Sequence, residues 1–140
     1  MNKRIDLIAY ADGAIGYRSD YTGVGAVLLD DQDRILVWGN RRLGQMTNNE
    51  AEYAGLVLAL ELAISLRPDR LRVYLDSEVV VGQMNGKFGV RSKGLKPWHR
   101  RACQLARRLV EVSYYHVPRQ RNRLADALAN EALAGRILSG

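Results

Sequence analysis

Four acidic residues of this chain each stand in a distinct local frame. They are Asp12 in Tyr-Ala-Asp-Gly-Ala, Glu52 in Thr-Asn-Asn-Glu-Ala-Glu-Tyr, Asp76 in Tyr-Leu-Asp-Ser, and Asp126 in Asn-Arg-Leu-Ala-Asp-Ala-Leu-Ala. Two end hydrophobic stretches, one lies on an almost wholly apolar helical pattern, and one opens the last helical pattern. Carboxylates gathered in one pocket repel and take up protons unless a cation lies among them. Hard oxygen ligands select Mg²⁺ or Mn²⁺ over zinc, and no Cys/His cluster offers zinc a site. Carboxylates bridging two ions about 4 Å apart supply a clamp for in-line phosphodiester chemistry. In a chain of net charge +6, a phosphodiester is the natural partner of such a site. Taken singly, each acid has an ordinary reading. Asp12-Gly13 is a turn dipeptide, Asp76-Ser77 can cap a helix, and Glu52 and Asp126 complement helix dipoles. The inference rests on the four occurring together, in register with element ends.

The elements that must position them can be read from periodicity. Ile5–Asp12 is a mostly apolar strand that should stop at Asp12-Gly13. Thr22–Leu29 and Arg34–Asn40 flank the polar turn Asp30-Asp31-Gln32-Asp33, so the first three strands form an antiparallel meander. Gly23 and Gly25 within the second strand imply close backbone approach or a bulge. From Asn48 or Asn49 to about Leu66 the period becomes helical and apolar nearly all round, the mark of a buried helix. Arg67-Pro68-Asp69 ends it, and Leu71–Asp76 is the next strand. A short helix from Ser77 or Glu78 to Met84, a basic glycine-bearing loop over residues 87–96, and a helix Pro97–Leu109 follow. Val112–Val117 is the fifth strand, Pro118–Arg121 a loop, and Asn122 the N-cap of a last helix to about Leu138. The strand–helix–strand crossover makes its two strands parallel. Asp12 and Asp76 then converge on the carboxyl ends of parallel strands, where open α/β sheets place their ligands.

Composition agrees with one domain, residues 1–140. The hydrophobic fraction of 47% and charged fraction of 26% fit an ordinary globular chain large enough for its own core. A single cysteine, Cys103, forms no internal disulfide and reads as a buried structural thiol, which implies a reducing compartment and hence the cytoplasm. No run reaches the roughly 18 apolar residues of a membrane span, and the opening Met1-Asn-Lys-Arg is not followed by a signal-peptide core. Residues 87–123 hold eleven lysines and arginines against one acid, Glu111, either a phosphate-binding face or a solvated one.

The frames Tyr10-Ala-Asp-Gly-Ala, Thr47-Asn-Asn-Glu-Ala-Glu, Leu75-Asp-Ser and Asn122-Arg-Leu-Ala-Asp, in this order, resemble the type 1 ribonuclease H family across essentially the whole chain. The resemblance implies a ribonuclease H-like α/β fold. Its sheet is mixed and five-stranded, three antiparallel strands then two parallel, with helices on both faces. It implies a metal-dependent endoribonuclease that cuts the RNA strand of RNA–DNA hybrids with two Mg²⁺ (or Mn²⁺) ions, leaving 5′-phosphate and 3′-hydroxyl ends. Asp12, Glu52, Asp76 and Asp126 become the catalytic metal ligands. Asn48 and Asn49 become substrate readers, suited to a shallow minor groove, or else helix caps. Gly13 would admit the RNA backbone, Ser77 and Glu78 would lie beside the substrate, and Arg119 or Arg121 would contact phosphate.

Two departures from the family stand out. The usual histidine-bearing loop before the last aspartate is cut to Pro118-Arg-Gln-Arg, and His116 reads as a strand residue; His99 reads as helix surface. The long basic protrusion is replaced by Lys87–Lys96, as in the compact archaeal and bacterial branch, with Phe88 or Trp98 able to pack on a sugar, although Trp98 reads better as a local hydrophobic plug. The competing readings are a non-catalytic nucleic-acid-binding module, or another nuclease of this fold acting on double-stranded RNA or DNA. A monomer is expected.

Overall fold

The structure is a computed structural model that describes residues 3–17 and 20–140; Met1 and Asn2, with which the N-terminal stretch begins, lie outside the described residues, as do Arg18 and Ser19. Ten elements follow one another: β1 Asp6–Ile15, β2 Tyr21–Asp30, β3 Ile35–Gly44, α1 Asn48–Leu66, β4 Arg70–Leu75, α2 Glu78–Met84, α3 Lys96–Ala106, β5 Val112–His116, a 3₁₀ turn Arg119–Arg121, and α4 Arg123–Leu133. The sheet order is β3-β2-β1-β4-β5. β1 pairs antiparallel with β2 and β2 with β3, while β4 runs parallel to both β1 and β5. The expected mixed sheet is therefore present.

Period-two alternation sets the two faces. Leu7, Ala9 and Ala11 of β1 and Leu71, Val73 and Leu75 of β4 are buried under α1, with α3 packed beyond it. Helix α1 is buried along most of its length, as its all-round apolarity requires. Truncating Leu56 or Leu60 in its centre to alanine is expected to cost about 2–5 kcal/mol. Helix α4 covers only β3, β2 and β1 on the other face. Gly23 and Gly25 are the reason it can: a Cβ at Gly25 would lie 2.6 Å from the Ala125 carbonyl oxygen. The close approach expected of these glycines is thus met by a helix. The one irregularity of the β2–β3 pairing falls elsewhere, between Leu28 and Leu29.

Several element ends differ from expectation. β1 does not stop at Asp12-Gly13. Pairing with β2 carries it on to Ile15↔Thr22, whereas its parallel pairing with β4 ends at Tyr10↔Tyr74. β3 likewise continues past Asn40 to Gly44. α3 ends at Ala106, short of Leu109, and α4 at Leu133, short of Leu138, where Gly135 turns the chain at φ 91°. The segment Pro118–Arg121 is wound into the 3₁₀ turn rather than being an open loop. Neither Asn48 nor Asn49 caps α1. Thr47 does, in a reciprocal box: its hydroxyl accepts from Glu50 N at 3.2 Å while the Glu50 carboxylate accepts from Thr47 N at 3.1 Å. Arg67 ends α1 in the left-handed region, φ 49°, ahead of Pro68. Cys103 is half-buried rather than buried, with Sγ 3.5 Å from His99 Nε2. Trp98 packs against the core, the plug reading, and Phe88 is exposed.

Candidate active site

The offset pairing of β1 builds the site. Carried two residues past Tyr10↔Tyr74, the register sets Asp12 beside Asp76 where β4 has already ended. Asp12 stays within β1 because β2 still pairs with it, opposite Gly25. Glu52 reaches the same place from the second turn of α1, which can lie close because Gly55 has no side chain; a Cβ there would sit 2.6 Å from the Asp12 carbonyl oxygen. Ligand atoms of Asp12, Glu52 and Asp76 all fall within 4.8 Å of one another. Asp126 lines the same cleft of about 420 Å³ and its side chain meets Asp12 in a hydrogen bond, although it stands outside the set of three whose ligand atoms all lie within 4.8 Å of one another.

The electrostatics of this cluster are unfavourable as they stand. Asp12 and Glu52 are both buried. Burial, above all, pushes the Asp12 carboxyl up to about 7, and Asp76 adds to the rise, while hydrogen bonds from Glu52 and Gly13 N oppose it. Glu52 is raised as well, by burial first and then by its contact with Asp12. Only one backbone donor is shared between them: Gly13 N lies 2.9 Å from Asp12 Oδ1 and 3.2 Å from Glu52 Oε1. Glu52 Oε2 is buried with no hydrogen-bond partner among the described residues. An orphaned carboxylate oxygen facing two further carboxylates is the donor set of a hard divalent cation, and the residues fit one.

Around the acids, Gly13, Asn48, Asn49, Ser77 and Arg119 line the cleft as expected. Because Thr47 caps α1, the side chains of Asn48 and Asn49 are not used as caps. Ser77 does cap α2, accepting from Val80 N at 3.2 Å, so the Asp76 carboxylate is not spent on the cap. The Arg119 guanidinium lies 3.9 Å from Asp126 Oδ1. Arg121 does not line this cleft: the 3₁₀ turn carries it into a separate cavity beside Tyr10. His116 ends β5, as its strand pattern implies. It lies 4.0 Å from Glu78 and lines no part of the cleft.

Two residues at the site escaped the sequence reading. Asn122 occupies the N-cap position of α4 but makes no capping bond. Its buried amide donates instead to the Ala11 carbonyl at 2.8 Å and to Asp76 Oδ2 at 3.1 Å, tying β1 to the acid that follows β4. Asn130 lies one helical turn beyond Asp126, donates to its carbonyl at 2.9 Å, and completes the cleft wall. The i, i+4 spacing from Asp126 could have revealed Asn130. Only the fold reveals Asn122.

Comparison with known proteins bears on this arrangement. Residues 10–132 match the family described as reverse transcriptase-like. RNase H1 of the halophilic archaeon Halobacterium salinarum NRC-1 superposes with a TM-score of 0.87 at 37% identity, covering 93% of this chain and 98% of that one. The chain belongs to the type 1 ribonuclease H family. LC11-RNase H1, solved in complex with an RNA/DNA hybrid, gives a TM-score of 0.85 at 31% identity over 92% of this chain and 97% of its own. Bifunctional protein Rv2228c of Mycobacterium tuberculosis is 36% identical over 128 residues, 91% of this chain but 35% of that protein, so the chain spans about a third of that relative's length. Among the described residues, no helix of this type 1 ribonuclease H domain is long and apolar enough to cross a membrane.

Proposed function

We propose that this domain is a divalent-metal-dependent endoribonuclease that hydrolyses the RNA strand of RNA–DNA hybrids, leaving 5′-phosphate and 3′-hydroxyl ends. The observation that carries the reading is the triad Asp12, Glu52 and Asp76 with its buried, unpartnered Glu52 oxygen. Asp12, Glu52 and Asp76, with Asp126 beside them, would hold two Mg²⁺ (or Mn²⁺) ions. Bound there, the ions would activate the attacking water and neutralise charge on the leaving 3′-oxygen. The chain's own groups do the rest. Asn48 and Asn49, uncommitted at the start of α1, offer amides to base edges and 2′-hydroxyls. Gly13 borders the cleft with its missing side chain turned to α1, where a Cβ would lie 2.4 Å from the Ala51 carbonyl oxygen. Its backbone is therefore what a bound strand would meet, and Ser77 borders the cleft beside Asp76. Arg119 is exposed and able to swing from Asp126 to a phosphate. Asn122 positions the Asp76 carboxylate. The hybrid reading is further supported by the bound hybrid of LC11-RNase H1, a relative of the same family. Residues 1–140 would act as one unit, as a monomer, and the single cysteine suits work in the cytoplasm.

The test is cleavage of matched RNA–DNA, RNA–RNA, DNA–DNA and single-stranded substrates with Mg²⁺, with Mn²⁺ and with chelator. Cleavage of the hybrid alone, lost in chelator, is the expected result. Cutting of DNA, or full activity in chelator, overturns it. Binding of hybrid without any cleavage would favour the binding-module reading.

A further inference from the structure

A second group of aromatic and cationic side chains stands on the sheet face that α1 does not cover. Tyr10, Tyr74 and Tyr115 lie in register on β1, β4 and β5. Their rings form a continuous stack, each neighbouring pair 5.3 Å apart between centroids and inclined by only 21° and 27°. The next position in the row, opposite Tyr10 on β2, is the short side chain of Val27. There the stack ends in a cavity of about 290 Å³ between Tyr10, Val27 and Leu29 of the sheet and Gln120, Arg121 and Leu124 ahead of and within α4. The void therefore opens beside the outer face of Tyr10, with the buried Val27 as its floor.

Charge at this cavity has one dominant sign. Arg121 and Arg123 line it and are exposed, and Arg72 lies one step back on β4. None of the three makes an ion pair among the described residues, although seven other arginines do. Against them, Asp33 acts on the Tyr10 hydroxyl with the opposite sign. The cavity also adjoins the acidic cleft. Asn122 lines it while bonding Asp76 on the other side, and Arg119, two residues before Arg121, lines the cleft itself. The 3₁₀ turn is the ridge between the two.

We infer that this cavity takes an unpaired nucleobase of a single-stranded segment, stacked on the outer face of Tyr10, with the adjoining phosphates on Arg121 and Arg123. An aromatic platform edged by free cations is the general design for single-strand binding. A second copy of the chain fits less well, because a symmetric contact would set Arg72, Arg121 and Arg123 of both copies against each other. The inference goes beyond the hybrid-cleaving reading and does not depend on it, since a strand can be held here without being cut.

The test is fluorescence anisotropy of a labelled oligouridine twelve nucleotides long, in chelator, with the full chain. Val27→Phe fills the cavity from its floor, and Arg121→Ala/Arg123→Ala removes exposed cations without touching the core. Each is expected to weaken oligouridine binding about tenfold or more, while Val27→Phe leaves cleavage of a blunt-ended hybrid unchanged. Thermal unfolding verifies that Val27→Phe is folded; if it is not, the arginine pair carries the test. Unchanged affinity in the arginine pair, or in a folded Val27→Phe, overturns the inference. So does displacement by uridine monophosphate at the oligouridine's own concentration, which would make this a mononucleotide site. Dimers in sedimentation that Val27→Phe abolishes would assign the face to a second copy. Weakened oligouridine binding in a protein that cuts no hybrid would uphold this inference and defeat the nuclease reading.

Discussion

Asn40 and Asn122 are both buried asparagines at the edges of one sheet, and they differ in what their amides have left over. Asn40, on β3, is fully employed. Its Nδ2 donates to the Leu128 and Arg136 carbonyls at 2.9 and 3.0 Å, and its Oδ1 accepts from Leu138 N at 2.7 Å. It fastens the tail, which then exchanges two hydrogen bonds between Gly140 and Trp38 along the sheet edge. Asn122 donates to Ala11 and Asp76 but its Oδ1 is buried with no hydrogen-bond partner among the described residues, as is Glu52 Oε2. A buried polar group that is satisfied holds the fold together, whereas one left unsatisfied marks a place where the molecule expects something else. The acidic edge is the second kind.

The sharpest way to break that contrast is at the acids. Asp12→Asn or Asp76→Asn is expected to abolish hybrid cleavage to the limit of detection while hybrid binding survives. Neither should lower the thermal midpoint in chelator, because each removes a charge from a repelling cluster. A folded, fully active Asp12→Asn would sink the assignment. The two asparagines come next. Asn122→Ala is expected to lower activity and Mn²⁺ affinity by about 10–100-fold, as loss of a group orienting a ligand does, and stability by about 1–2 kcal/mol. Asn40→Ala should reverse the proportions, with a stability loss of about 2–4 kcal/mol and unchanged activity per folded molecule. Mn²⁺ titration followed by electron paramagnetic resonance, beside urea unfolding, reads both quantities.

The same cluster makes stability depend on pH. Asp12 and Glu52 hold protons in the metal-free fold where the unfolded chain has released them, since burial raises both. The folded state then binds more protons than the unfolded one, and stability must fall as pH rises from the ordinary carboxylate range through about 7, where Asp12 ionises. In chelator, the thermal midpoint should drop by a few degrees between roughly pH 5 and pH 8. Asp12→Asn should flatten that slope, and excess divalent metal should remove it. A midpoint that rises over this range would show that the acids are not buried together.

Much of this was legible because periodicity and punctuation are local properties. The meander, the all-round apolar α1 and the β4 crossover follow from residue spacing, and with them the convergence of Asp12 and Asp76; Glu52 joins them in the sequence only through the family resemblance. What was hidden depends on partners far along the chain. β1 outruns Asp12 because β2 continues to pair with it, which no local pattern of β1 records. Asn122 looks like a cap because Asn before a helix usually is one, and its real partners, Ala11 and Asp76, lie 111 and 46 residues away. Arg119 and Arg121 look interchangeable in sequence until a 3₁₀ turn sends them to opposite sides of a ridge.

The smallest effects should fall at the start of α1, where the contrast between employed and free polar groups recurs within three residues. Thr47 spends its hydroxyl and backbone N–H on the reciprocal box with Glu50. Asn48 and Asn49, inside the first turn, point no capping bond at the helix and line the cleft. Thr47→Ala is therefore expected to cost about 1 kcal/mol of stability with little change in KM for hybrid. Asn48→Ala and Asn49→Ala should each stay within about 0.5 kcal/mol of the parent and raise KM. If Asn49→Ala instead destabilised the fold as Thr47→Ala does and left KM alone, its amide would belong to the helix, and Asn48 alone would remain to read the strand.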